Sequence, residues 1–226
     1  MQAEKNIVMI NKPVPTNNEI VLDPYKTIMS KTDSKGIIEY ANDYFMEVSG
    51  YKEWELMGKA HNIVRHPDMP KLIFKMLWDN LKMGKGIYAI VKNLAKSGDY
   101  YWVIADFRLV EDKDGNTEAI YARRKAVPKK VKEKIIPIYN VLSELEKSSG
   151  MVASEAYFIG KLEDAGMTYE SFILNMFGLK KEQLEKYLSS EISDSDMLGN
   201  KETTFTAEEA ISKSAKKKGF FGRMFK

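Results

Sequence analysis

Apolar positions along the chain recur with two different periods, and the elements change where the period changes. "TIMSKTDSKGIIEYAN" (27–42) alternates on a two-residue step on either side of Asp33–Gly36, which predicts two short strands around a turn. In "NDYFMEVSGY" the step lengthens, giving a short helix with Asn42 or Asp43 at its cap and Gly50 at its end. From about Pro70 to Lys82, Ile73, Leu77 and Leu81 share one helical face, with Phe74 and Trp78 beside it and Gly84 and Gly86 closing it. Three longer strand patterns follow: "IYAIVKNLAK", "DYYWVIADFRLVED" and "TEAIYARRKAV". Turn signals at Ser97–Gly98–Asp99 and at 112–116 join them. In the middle strand Tyr101, Val103, Ala105, Phe107 and Leu109 point one way, and Tyr100, Trp102, Ile104, Asp106 and Arg108 the other.

Two strands, short helices, a longer helix and three strands predict an α+β unit over residues 25–128, a five-stranded antiparallel sheet with helices gathered on one face. Residues 1–24, with Pro13, Pro15 and Pro24 and little periodicity, read as a flexible leader. Residues 129–150 carry Val131, Ile135, Ile138, Leu142 and Leu145 at heptad steps, interrupted by Pro137. Such a helix either folds back on its own sheet or serves as an output helix that pairs with a partner or a second copy in a homodimer. Residues 151–190 read as a small helical extension broken at Gly166 and Gly178, and 191–209 as a disordered linker. In the final stretch Lys213, Lys216, Lys217, Lys218, Arg223 and Lys226 interleave with Phe220, Phe221, Met224 and Phe225. That tail suits an anionic membrane surface or an acidic groove on a partner, and its bland alternative is a solvated basic end.

Composition narrows the classes of function. The 226 residues balance 35 Lys+Arg against 32 Asp+Glu, too even for a nucleic-acid binder driven by bulk charge. The acids of the C-terminal helices likewise oppose phosphate binding. With no cysteine there are no disulfides, thiolate metal sites, cysteine nucleophiles or cysteinyl–flavin photochemistry. No apolar run approaches the roughly 18 residues that span a bilayer, and the N-terminus lacks a signal-peptide pattern. The expectation is a cytoplasmic protein. GxGxxG, GxxxxGK[ST], HExxH and GxSxG are all missing, so an enzyme is not expected. Two histidines without cysteines leave no transition-metal site in view.

Both histidines lie in "HNIVRHPDMPKLIFKMLW" (61–78). With "IMSKTDSKGIIEYANDYFMEVSGY" before it and "IVKNLAKSGDYYWV" after it, this segment resembles the PAS domain of the bacterial aerotaxis receptor (Aer) and of short Aer-like PAS proteins of energy taxis. The likeness runs through most of residues 28–127. It implies a PAS fold, non-covalently held FAD, and a redox sensor that reports to the chemotaxis machinery. By the same resemblance Arg65, His66 and Asp68 match positions tied to FAD binding, while Asn42, Trp78 and Asn93 match positions around its pocket. With no transducer segment in the chain, output is expected to pass to a separate membrane transducer.

These residue types suit the ligand. A flavin pocket needs apolar walls, an amide for the ring edge and a cation for the phosphates. Arg65 offers a fork to phosphate or to Asp68, His66 a donor or a stacking ring, and Asn93 an amide on an otherwise apolar strand face. Asp68, ahead of Pro70, is placed to cap the helix and hold Arg65. Each has a structural alternative: Arg65 in a surface ion pair, Asp68 as a plain cap, Trp78 as core, Asn42 and Asn93 as partners for backbone groups. One position departs from the family. Where aerotaxis receptors begin the "VKN" strand with tryptophan, commonly after proline, this chain has Ile87 after Gly86, which lines a ring without stacking on it and predicts weaker retention of flavin. The alternatives to a flavin sensor are a cofactor-free PAS adaptor and a PAS domain binding haem through His61 or His66.

Overall fold

A computed structural model describes residues 12–189. The first eleven residues of the leader, Ser190, the 191–209 linker and the 213–226 tail lie outside the described residues. The strands are β1 (Ile28–Asp33), β2 (Ile38–Ala41), β3 (Ile87–Leu94), β4 (Tyr100–Glu111) and β5 (Thr117–Ala126). Between β2 and β3 come α1 (Asp43–Ser49), α2 (Glu53–Leu56), a 3-10 turn at His61–Val64 and α3 (Lys71–Lys82). After β5 follow α4 (Lys129–Ser148), α5 (Met151–Asp164), α6 (Tyr169–Phe177) and α7 (Lys181–Ser189).

The five strands form one antiparallel sheet in the order β2-β1-β5-β4-β3, as the alternation predicts. β2 and β3 therefore occupy opposite edges, and the chain between them must cross one face of the sheet. That crossing is α1 to α3, which puts the short helices on the expected face. Asn42 caps α1 by accepting from the Phe45 amide, and Gly50 ends it at φ 70.

The opposite face is not left to water. It presents Tyr88, Ile90, Trp102 and Ile104, all buried, so it needs a cover of its own. The C-terminal helices supply it. Tyr139 of α4 packs against Trp102 and donates its hydroxyl to the Ile90 carbonyl at 2.8 Å. Tyr187 of α7 donates to the Ala126 carbonyl at 2.7 Å, and Glu185 takes bonds from Tyr88 and Arg108. Of the two readings of the heptad seam, the described residues show the folded-back helix. Val131, Ile135, Tyr139 and Leu142 are its buried positions.

One expectation is corrected by the described part of the leader. Residues 12–24 are pinned rather than loose: Thr16 and Ile20 donate to the carbonyls of Gly98 and Tyr100, and Leu22 joins the core. The segment shows no periodicity because it bridges to the β3–β4 turn without entering a strand. Gly98 permits this approach, since a Cβ there would lie 2.2 Å from the Val14 carbonyl oxygen.

Candidate ligand-binding site

Between the sheet's inner face and α3 lies a cavity of ≈ 230 Å³. A single water needs only ~10–15 Å³ of such space, so this void is far larger than a packing defect. α3 contributes Phe74, Leu77, Trp78 and Leu81; the sheet contributes Ser30, Val91, Asn93, Phe107, Ile120, Ala122 and Arg124; His61, Asn62 and Arg65 come from the turn before α3. Trp78 lies across the β1–β2 turn. A Cβ on Gly36, which sits at φ +82, would come within 3.1 Å of the indole.

Three of the six expected site residues meet at this cavity: Arg65, Trp78 and Asn93. The Arg65 backbone bridges to that of Asn93 on the β3 edge. The Arg65 guanidinium lies over the Phe74 ring, 4.0 Å from its centroid, and donates weakly to the Met69 carbonyl at 3.4 Å. Burial lowers its pKa, opposed in part by Glu146. Among the described residues no carboxylate ion-pairs with it. Asn93 is buried, and the Tyr101 hydroxyl beside it is buried without an aligned hydrogen-bond partner among the described residues.

The other three lie outside the cavity lining. Asn42 is occupied structurally: besides capping α1, its Oδ1 accepts from the Met29 amide and its Nδ2 donates to the Thr27 carbonyl. His66 is buried edge-on against Tyr100. Its Nδ1 accepts from the Asp68 amide at 3.1 Å. Its pKa falls to about 4, first through burial and then through Lys92, with Asp68 opposing. Asp68 neither caps α3 nor holds Arg65. Its exposed carboxylate pairs with Lys92 at 2.9 Å, and the cap of α3's first turn comes from elsewhere: Glu146 of α4 accepts from the Lys71 and Leu72 amides, each at 2.8 Å. Ile87, the position that departs from the aerotaxis pattern, is buried but also absent from the lining.

The sequence reading missed the most buried charge in the cavity, Arg124, which is 4% exposed. One guanidinium nitrogen donates to Ser30 Oγ at 2.9 Å, and the other lies 3.0 Å from His61 Nε2. Arginine has no acceptor, so His61 Nε2 must accept and the ring proton sits on Nδ1. Burial, then the Arg124 charge, pushes the His61 pKa down to about 3. Burial likewise pulls Arg124 down to about 10. A signal for Arg124 was present in β5, where Ile120, Ala122, Arg124 and Ala126 alternate onto one face and an arginine interrupts an apolar register.

The PAS-fold family profile matches residues 38–122, the span from β2 into β5, which supplies most of the cavity lining but not Ser30 or Arg124. The chain carries a PAS domain. Over 98 residues it is 48% identical to the aerotaxis receptor of Escherichia coli (strain K12), a match covering 43% of this chain and 19% of the receptor. Over 89 residues it is 26% identical to the bacterioopsin transcriptional activator of Halobacterium salinarum, covering 39% of this chain and 13% of that one. The chain thus spans about a fifth or less of these curated relatives. Among solved structures, a light-oxygen-voltage domain studied with a flavin analogue aligns at 17% identity and TM-score 0.46, covering 50% of this chain and 85% of its own. The PAS domain of the fruit-fly ELK potassium channel aligns at 17% identity and TM-score 0.41, covering 45% and 86%. Among the described residues, no helix is long and apolar enough to cross a membrane.

Proposed function

We propose that the PAS domain binds FAD non-covalently in this cavity and serves as a cytoplasmic redox sensor of energy taxis, signalling to a separate chemotaxis transducer. The observation that carries this reading is the pair of guanidinium groups, Arg65 and Arg124, on a largely apolar cavity, with no carboxylate ion-paired to either among the described residues. A cavity so furnished suits a flat apolar ring attached to phosphates. When bound, a flavin supplies a ring that exchanges electrons together with protons.

This chain's residues have distinct tasks in that reading. Arg65 is the cation for the pyrophosphate, with a fork of donors that matches phosphate oxygens. The Asn93 carboxamide supplies both a donor and an acceptor for a ring edge. Trp78, Phe107, Leu77 and Val91 wall the ring from water. His66 and Asp68 act at one remove, in the loop between Arg65 and α3, and Asn42 by tying α1 to β1. Ile87 takes no part in the cavity wall, so the missing family tryptophan removes no surface that this cavity uses.

The output route follows from contacts on α3. Four lining residues sit on that helix, its N-terminus is held by Glu146 and the preceding loop by Ser143, both from α4. A ligand-dependent shift of α3 therefore reaches the C-terminal helices first. α4 lies on the sheet instead of projecting away as a stalk, which supports delivery to another protein. A haem reading is disfavoured because the His61 Nε2 lone pair already accepts from Arg124 and Ser30, and His66 lies outside the cavity.

The test is extraction of purified full-length protein, with chromatography of the released material against FAD, FMN and haem standards. Stoichiometric FAD supports the sensor. A Soret band supports haem, and a colourless protein that resists reconstitution supports the adaptor.

A further inference from the structure

Arg124 is a cation in the wrong place for a structural residue. It lies on the inward register of β5, surrounded by Ser30 of β1, Phe45 of α1, His61 of the turn and Phe107 of β4. None of these carries negative charge, and His61, held neutral, offers only a lone pair. The Phe45 and Phe107 centroids lie 6.0 and 5.6 Å from the guanidinium carbon, and ring faces only partly replace lost water. A buried charge is ordinarily paired, because desolvation outweighs what neutral partners return. The geometry also fixes the group. Two nitrogens are held by Ser30, by the Ala122 carbonyl at 3.5 Å and by His61, while a guanidinium carries five N–H donors and so keeps some for a ligand.

We propose that Arg124, oriented by Ser30 and His61, is the seat for negative charge on the cavity's ligand, and that it favours the more negatively charged redox form of a bound flavin. The second half rests on the flavin reading above. Taking up two electrons and one proton adds one negative charge to a neutral ring; in the assay dithionite is the electron donor and solvent the proton source. A fixed, desolvated cation beside that charge holds the reduced form more tightly than the oxidised one. Arg65 answers to the phosphates, whose charge does not change on reduction, and Lys35, the third cation on the lining, is exposed to water, so Arg124 is the desolvated charge that should discriminate between the two states. Ser30 and His61 are positioning residues.

The experiment compares wild type, Arg124→Gln and Arg124→Lys as full-length protein, with midpoint potentials read against reference dyes during dithionite titration. Glutamine keeps hydrogen bonding but removes charge, and lysine keeps charge. The glutamine variant should hold oxidised flavin within a few-fold of wild type, bind reduced flavin at least tenfold more weakly, and so shift to a more negative potential. The lysine variant should stay near wild type. Equal potentials in flavin-loaded glutamine variant and wild type overturn the inference and leave the flavin reading intact. So does loss of flavin in both redox states from a folded glutamine variant, which would make Arg124 a general binding residue. If wild type takes up no flavin, the flavin reading fails and the seat is judged on apoprotein in urea. An unpaired cation predicts an Arg124→Gln midpoint equal to or above wild type. A lower midpoint, or failure to fold, makes Arg124 a structural tie and overturns the proposal.

Discussion

Removing the Glu146 carboxylate should loosen the helix that carries Phe74, Leu77, Trp78 and Leu81 of the cavity's apolar wall, although Glu146 itself touches no cavity surface. α3 begins after Pro70, which offers no side-chain acceptor, and Glu146 accepts from its first two amides, each at 2.8 Å. Loss of a helix cap costs ~0.5–2 kcal/mol. Loss of a negative charge from a helix N-terminus costs about 0.3–1 kcal/mol more. Because the two effects overlap, Glu146→Ala should destabilise the protein by about 1–2 kcal/mol. Glu146→Gln keeps one acceptor oxygen without the charge and should cost roughly half of that. The assay is urea unfolding, read as a lower midpoint at unchanged slope, together with amide exchange in the first turn of α3. Asp68→Ala is the control: its carboxylate is exposed and does not cap the helix, so it should cost only ~0–1 kcal/mol, the worth of a surface ion pair. Unchanged stability and unchanged exchange at Lys71 and Leu72 in Glu146→Ala would refute the reasoning, as would a larger loss from Asp68→Ala.

Three other outcomes are expected. His61 is held neutral in the fold with its pKa lowered from 6.5 to about 3, so below about pH 6.5 the unfolded chain takes the proton first; stability is intact above that pH and falls as pH drops toward 3. The loss is at most on the order of 5 kcal/mol, less where the cavity admits water, and His61→Gln should flatten the urea-midpoint profile across that window. Arg65→Ala should release FAD with little loss of stability, whereas His66→Ala should chiefly lower stability, since the buried His66 ring accepts from the Asp68 amide and lines no cavity; flavin retained at full occupancy by Arg65→Ala would remove it from the site. The 213–226 tail is proposed to bring the protein to anionic membranes: co-sedimentation with anionic liposomes should vanish on truncation after Ser212, and binding that survives truncation would contradict this.

Local pattern revealed the elements, and non-local partners decided the rest. The β1–β2 turn, the α1 cap at Asn42 and the α3 face Ile73–Leu77–Leu81 are written in neighbouring residues, and the structure reproduces them. The cover over the second sheet face was harder to read. Tyr88, Ile90, Trp102 and Ile104 imply that something must cover it, yet a short heptad seam is equally compatible with a partner helix. Tyr139 decides the matter, one residue beyond the seam position Ile138, by reaching the Ile90 carbonyl. At the site, a helix face places Trp78 and a strand register places Asn93 on the cavity, whereas Arg65 reaches it from the turn before α3, where no periodicity fixes a direction. Asp68 was misread as the α3 cap because the true cap comes from Glu146, 75 residues along the chain from Lys71. The family resemblance pointed His66 toward the ligand; in the fold its ring lies buried against Tyr100, accepts from the Asp68 amide and is absent from the cavity lining.

The central claim is that this cavity holds the flavin, and a titration of apoprotein with FAD, followed by quenching of flavin fluorescence, tests it most directly. Wild type should saturate at one equivalent per chain. Ala122→Leu, which extends a side chain into the cavity from β5, should bind at least tenfold more weakly while its circular dichroism remains native. Equal affinity in the folded, filled variant, or no saturable quenching in wild type, would contradict the account.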